Sequence, residues 1–177
     1  MTQEEEWIAR MARGEPEAAD ALVRRYYPEI LRYCLWHVPD ASLAEDAAQE
    51  TFLKMIRYFD RYRHRGQFRA FLYRIAANTC IDICRTLPER EVSLEASDAE
   101  FPYAEPGFEE IHADISLRQL VRSLPQAQRE LILLRYGQDL TLREIAEATG
   151  LPLRTVQSRL RAALKTLKKE LEKGGLP

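Results

Sequence analysis

The chain has 177 residues, 46% hydrophobic and 31% charged, with 26 basic and 28 acidic side chains. This is the composition of one or two small globular domains, and its three cysteines are too few for a disulfide framework. The net charge of −2 would argue against a nucleic-acid partner only if it were evenly spread, and it is not.

Residues 1–53 hold eleven acids and five bases, whereas 54–86 hold eight bases and two acids. The balance then reverses: 87–112 carry eight acids against Arg90 alone, and 113–177 carry twelve bases and seven acids. Two modules rich in basic side chains are thus separated by an acidic connector. The opening MTQEEEWIAR is acidic where a secretory signal would be basic, and no apolar run reaches the length of a membrane span. A cytoplasmic chain without membrane insertion is expected. Apolar residues recur at helical period and β-branched runs are missing, which predicts an all-α protein.

In chain order, 4–11 reads as a short helix ended by Gly14 and Pro16, and 17–38 as a second with Ala21, Leu22, Tyr26, Ile30, Tyr33 and Cys34 inward. Pro28 should bend it. Ser42 and Glu45 form an S-x-x-E pattern that would cap a helix from Leu43 to about Phe59. Leu43, Ala47, Phe52, Met55 and Ile56 can pack inward there, leaving Glu45, Asp46, Gln49, Glu50 and Lys54 as a polar face. DRYRHRGQ at 60–67 reads as a basic loop, and 68–85 as a helix with Phe68, Phe71, Leu72, Ile75, Ala76, Thr79 and Ile83 inward. Tyr58, Phe59, Tyr62 and Tyr73 lie among these arginines. Such interleaving suits single-stranded nucleic acid, with rings on bases and arginines on the backbone, although core rings would give the same pattern. Cys34 with His37, and Cys80 with Cys84, have spacings that could each offer a metal one face, but as embedded helical positions they read first as small buried hydrophobes. No metal or other cofactor is expected.

The segment 87–112 contains Pro88, Pro102, Pro106 and Gly107 and no sustained apolar period, the marks of a flexible linker in which Phe101, Tyr103 and Phe108 could be anchors. Helical pattern resumes at 113 and gives a four-helix unit. Its last part, TLREIAEATGLPLRTVQSRLRAALKTLKK at 141–169, reads as a helix-turn-helix. Thr141 and Glu144 form a capping box, Leu142, Ile145 and Ala146 a buried stripe, and Gly150 a stop. Val156, Leu160, Ala163, Leu164 and Leu167 give the following helix its inner face. Arg154, Arg159, Arg161, Lys165, Lys168 and Lys169 make it cationic, with no acid from Pro152 to Lys169. That charge suits duplex phosphates, and Thr155, Gln157 and Ser158 stand near the helix end that meets base edges in such motifs.

Three segments, AEDAAQETFLKM at 44–55, FLYRIAANTCIDICR at 71–85 and LPQAQRELILLRY with TLREIAEATGLPLRTVQSRL at 124–160, together resemble the extracytoplasmic-function sigma factors of the sigma-70 family. The resemblance covers nearly the whole chain and implies two small helical domains, region 2 at 1–86 and region 4 at 113–177, joined by the acidic linker at 87–112. It implies that Asp46, Gln49, Glu50 and Phe52 dock on the coiled coil of the polymerase largest subunit. By the same resemblance Asn78 would hold a base flipped from the melted minus-ten strand, with Arg61, Tyr62, Arg63, His64 and Arg65 in the loop beside it. Arg154, Thr155, Gln157, Ser158, Arg159, Arg161 and Lys165 would read minus-thirty-five duplex. The partners implied are core RNA polymerase, through its coiled coil and flap, promoter DNA and an anti-sigma factor.

The sequence shows no nucleophile paired with a base, no carboxylate pair and no phosphate loop, so an enzyme is not expected. The alternative reading is a free-standing helix-turn-helix repressor or activator with a sensing or dimerising N-terminal half. Binding to core polymerase separates the two.

Overall fold

The computed structural model describes residues 1–63, 66–88 and 115–173. All regular structure among the described residues is helical. The chain divides into two compact units, Met1–Ala99 and Glu100–Pro177.

In the first unit, α1 (Gln3–Ala12) opens on a capping box that the sequence reading did not single out. Thr2 Oγ1 accepts from the Glu5 amide at 3.2 Å and Glu5 Oε2 from the Thr2 amide at 2.6 Å. Gly14 takes a left-handed φ of 80° to reverse the chain, and Pro16 starts α2 (Pro16–His37) in the first helical turn, where its missing N–H costs nothing. The Gly14 turn is braced by Glu15, which accepts from Arg10 Nε at 2.7 Å and pairs with Arg13 at 3.0 Å. Pro28 is exposed, and α2 runs through it as one element. The sequence pattern starts the next helix two residues late. In α3 (Ala41–Tyr58) the cap is Asp40, whose side chain accepts from the Leu43 amide at 2.8 Å, and Ser42 falls inside the first turn. Asp is at least as good a cap as Ser, and starting at Asp40 gives the helix two more residues. A 3₁₀ turn (Phe59–Arg61) ends α3, and Gly66, at φ 66°, precedes α4 (Phe68–Thr86).

The core of this unit is aromatic and aliphatic. Leu22, Tyr26, Ile30 and Tyr33 of α2, Phe52 and Met55 of α3, and Phe68, Leu72 and Tyr73 of α4 are all buried. Each such side chain contributes about 1.5–3 kcal/mol on burial. Ring edges interlock: Tyr33 meets Tyr73 edge-on at 5.4 Å, and Tyr26 meets Phe68 at 5.6 Å. The buried Tyr26 hydroxyl donates to Glu4 Oε2 at 2.5 Å, which ties α1 to α2.

In the second unit, α5 (Ile115–Ser123) and α6 (Gln126–Ile132) are separated by Pro125, and a single π turn (Leu133–Gly137) follows. Asp139 has a positive φ of 54°. Two bonds close this loop: the Leu140 amide donates to the Leu134 carbonyl at 3.0 Å, and Arg135 Nη1 to the Leu140 carbonyl at 2.9 Å. The helix-turn-helix is then α7 (Leu142–Thr149) and α8 (Leu153–Lys173), with Gly150 left-handed at φ 71°, ψ 11° between them. Two inward assignments shift. Ala148, not Ala146, is buried beside Ile145, and Leu164 is 39% exposed, because the α8 stripe that reaches the core is Val156, Leu160, Ala163 and Leu167.

Candidate nucleic-acid interface and docking face

The outer face of α8 follows from its inner one. Val156, Leu160, Ala163 and Leu167 are buried at helical spacing, and the residues two positions before each are Arg154, Ser158, Arg161 and Lys165. Two residues are about 200° of rotation, so these four form a row pointing directly away from the core. All four are exposed, as are Arg159, Lys168 and Lys169. Gln157 and Thr155 are half-buried and stand on the flanks of this row. The Ser158 hydroxyl makes one 3.3 Å bond to the Thr155 carbonyl. The scaffold beneath is fixed by the Thr141–Glu144 capping box and the left-handed glycine, the sequence features that marked the motif. A rigid helix with a basic outer row is the geometry that lies in a duplex groove.

On α3 the buried side is Ala44, Ala47, Ala48, Thr51, Phe52 and Met55, and Asp46 and Gln49 are exposed with Glu50 partly so. Phe52, grouped with them by resemblance, lies elsewhere. It is 4% exposed and its ring stacks on Tyr27 at 6.0 Å, so it holds the helix and presents no surface. Ile56, expected inward, is 49% exposed, and Leu53, which the pattern left unassigned, is 56% exposed; both continue the Asp46–Gln49–Glu50 face. Helical spacing alone could have found Leu53, which is four residues from Gln49 and three from Glu50. Lys54 turns away from this face. Its ammonium donates to Thr79 Oγ1 at 3.3 Å and lies 3.6 Å from Asp82 Oδ2, bridging α3 to α4.

The aromatics among the arginines prove largely internal. Phe59 and Tyr73 are buried. Tyr62 packs against Phe59, Phe68 and Phe71 at ring distances of 5.9, 5.7 and 5.1 Å, and burial pushes its hydroxyl pKa up, opposed by a hydrogen bond from the Gln67 backbone. Tyr58 is half-buried with the Arg61 guanidinium over its ring at 5.1 Å. The interleaving therefore arises chiefly from a core that reaches the loop. Arg61 and Arg63 are exposed, while His64 and Arg65 lie outside the described residues. So do Phe101, Tyr103, Phe108 and nearly all of the acidic segment. Asn78 is exposed on α4, in an outward face with Arg74, Ile81, Asp82 and Arg85.

The cysteines serve the packing. Cys34 and Cys80 are buried, and Cys84 donates to the His37 carbonyl at 3.3 Å, with its thiol pKa raised by desolvation and then by Cys80. His37 Nδ1 is 2.7 Å from the Tyr33 carbonyl, and its ring stacks on Tyr33 at 4.0 Å. No group of three or more potential metal ligands occurs among the described residues, and none of their helices is long and apolar enough to cross a membrane.

A helical unit with an exposed polar face on α3 and a second unit ending in a cationic helix-turn-helix define a two-part DNA-binding protein, and comparison with known proteins identifies which. The sequence model for sigma-70 region 2 matches residues 22–87, and that for sigma-70 region 4 matches 114–167. The chain is 30% identical over 182 residues to the RNA polymerase sigma-H factor of Pseudomonas aeruginosa, covering 96% of this chain and 94% of that one. It is 33% identical over 177 residues to the ECF RNA polymerase sigma factor SigD of Mycobacterium tuberculosis, covering 95% and 84%. The fold is also that of CnrH, solved in complex with the cytosolic domain of CnrY, with a TM-score of 0.70 at 22% identity over 94% of this chain and 96% of that one. The chain belongs to the sigma-70 family, in its extracytoplasmic-function group: it is an alternative sigma factor, a transcription initiation factor that directs RNA polymerase to promoters.

Proposed function

We propose that the two units divide promoter recognition between them, with 1–86 as region 2, 87–112 as linker and 113–177 as region 4. Region 2 docks on the coiled coil of the polymerase largest subunit through Asp46, Gln49 and Glu50. Leu53 and Ile56 add apolar area to that face, and Phe52 acts from beneath by fixing the helix. Arg61 and Arg63, with His64 and Arg65, guide the melted minus-ten non-template strand towards Asn78, and Tyr62 shapes the wall of that site. Unstacking a base costs a few kcal/mol, roughly, which is smallest where the duplex is already opening. Region 4 lays α8 along the minus-thirty-five duplex, with Arg154, Ser158 and Arg161 toward base edges and Arg159 and Lys165 toward phosphates, while Thr155 and Gln157 contact from the flanks.

The observation that carries this reading is the α8 row, cationic on the face turned directly away from the buried stripe. The chain supplies no bond-making chemistry; phosphodiester synthesis belongs to the polymerase, and the protein acts in the cytoplasm. The solved relatives include CnrH with CnrY and an RpoE of Bartonella quintana with the anti-sigma factor NepR, which supports an anti-sigma partner here as well. The test is run-off transcription with purified core polymerase and a promoter library randomised at both elements. Transcripts that depend on the protein and share two spaced motifs support the reading. Binding to duplex half-sites as a dimer, without core, would replace it with a free-standing repressor or activator.

A further inference from the structure

Lys54 bridges the docking helix and the helix that carries Asn78. Lys54 on α3 is 21% exposed and reaches α4 at two points, the buried Thr79 hydroxyl at 3.3 Å and Asp82 Oδ2 at 3.6 Å. Thr79 adjoins Asn78 in sequence, and Asp82 lies four residues on, which on a helix surface puts its Cβ about 5–6 Å from that of Asn78. Asp82 is the acid on the outward face that Asn78 shares with Arg74 and Arg85. An uncompensated carboxylate there would repel the phosphates of any strand laid along α4. Two cations offset it, and they differ in how firmly they are held. Arg85 approaches Asp82 at 3.9 Å from a side chain that is 77% exposed, whereas Lys54 is anchored by the Thr79 hydroxyl.

We infer that Lys54 is a positioning residue for strand capture: from the docking helix it neutralises Asp82 and pins the α4 turn at Thr79, so that the face around Asn78 accepts a polyanion. This rests on the proposed role of Asn78. It also gives α3 a second task beside docking, since Lys54 is one helical turn from Glu50. The role is electrostatic more than stabilising, because a pair with an acid that is 60% exposed is largely screened by solvent and adds little to folding.

The experiment uses holoenzyme assembled from purified core and the full chain. Its probe is a pre-melted bubble of a promoter selected from the library by the wild-type holoenzyme. Lys54→Met should lower affinity for the bubble about threefold to tenfold at low salt, and the deficit should shrink as salt rises, because the charge acts through solvent. Lys54→Arg should bind within about twofold of wild type. Asp82→Asn alone should bind at least as well as wild type, and Lys54→Met with Asp82→Asn should recover most of the loss, a coupling that a merely structural lysine would not give. Should Lys54→Met yield too little folded chain, Lys54→Gln, which keeps a donor for Thr79 and drops the charge, makes the same comparison. Asn78→Ala is the control. If it weakens bubble binding while Lys54→Met does not, or if Asp82→Asn fails to relieve the Lys54 deficit, the positioning role is wrong. If Asn78→Ala binds like wild type, strand capture by α4 itself falls, and this inference with it.

Discussion

Thr141 and Glu144 bond each other's backbone: the Glu144 amide donates to Thr141 Oγ1 at 3.2 Å, and the Thr141 amide to Glu144 Oε2 at 2.7 Å. The pair starts α7 immediately after Leu140, the residue held by Arg135 and Leu134, so it sets where the helix-turn-helix begins. Thr141→Ala should cost about 0.5–2 kcal/mol in chemical denaturation of the isolated chain. Promoter binding should fall with the folded fraction and base preference should stay as it was. A variant as stable as wild type would mean that tertiary packing alone fixes the start of α7.

The docking face of α3 separates two kinds of loss. Asp46→Ala, Gln49→Ala and Glu50→Ala together should weaken association with core polymerase while leaving the melting temperature nearly unchanged, because the three side chains are outside the core. Phe52→Ala should instead cost about 3–5 kcal/mol of stability, as expected for a buried ring stacked on Tyr27. Core binding measured by size-exclusion chromatography beside a thermal melt distinguishes them. Normal core binding by the triple variant would remove the docking assignment.

Much of the fold was legible because helix signals are local. The capping box at Thr141, the glycine at 150 and the period of Val156, Leu160, Ala163 and Leu167 specify the helix-turn-helix without tertiary information. What could not be read was side-chain direction across helices. Asp40, two residues before Ser42, is the cap, a position that the S-x-x-E pattern does not mark. Lys54 looked like part of a wet face and crosses to α4, and Ile56 looked inward and is half exposed, because both depend on where α4 packs. Tyr62 and Tyr73 resembled stacking platforms, yet rings that feed a core and rings that await a base have the same spacing.

Alkaline pH should destabilise the first unit. Burial, then Glu4, raises the Tyr26 pKa, and burial, then Glu29, raises that of Tyr73, both above their usual value near 10. Above that value the unfolded chain loses these protons and the folded chain keeps them, so the stabilisation is intact at neutral pH and falls as pH rises beyond about 10. Tyr73→Phe should flatten the alkaline limb of a stability profile measured by denaturant titration. An unchanged slope would show that these phenols titrate normally.

On α8 the side chains should fail in different ways. Gln157 is half-buried on the flank of the basic row, with an amide able to make the paired bonds that distinguish adenine, so Gln157→Ala should relax preference at one base position by about 1–3 kcal/mol and leave other sequences bound as before. Lys165 is exposed three turns along the outward row from Arg154, beyond the end that meets base edges, and a flexible ammonium there offers charge without a pattern. Lys165→Ala should therefore weaken all duplexes alike and reduce the slope of log affinity against log salt by about 0.9, the release expected for one phosphate contact on B-form DNA. Fluorescence anisotropy of holoenzyme on the selected upstream element and on each single-base variant, repeated over a salt series, measures both effects. Equal losses on every sequence for Gln157→Ala would show that the flank only touches the backbone, and would leave base reading to Arg154, Ser158 and Arg161 on the crest.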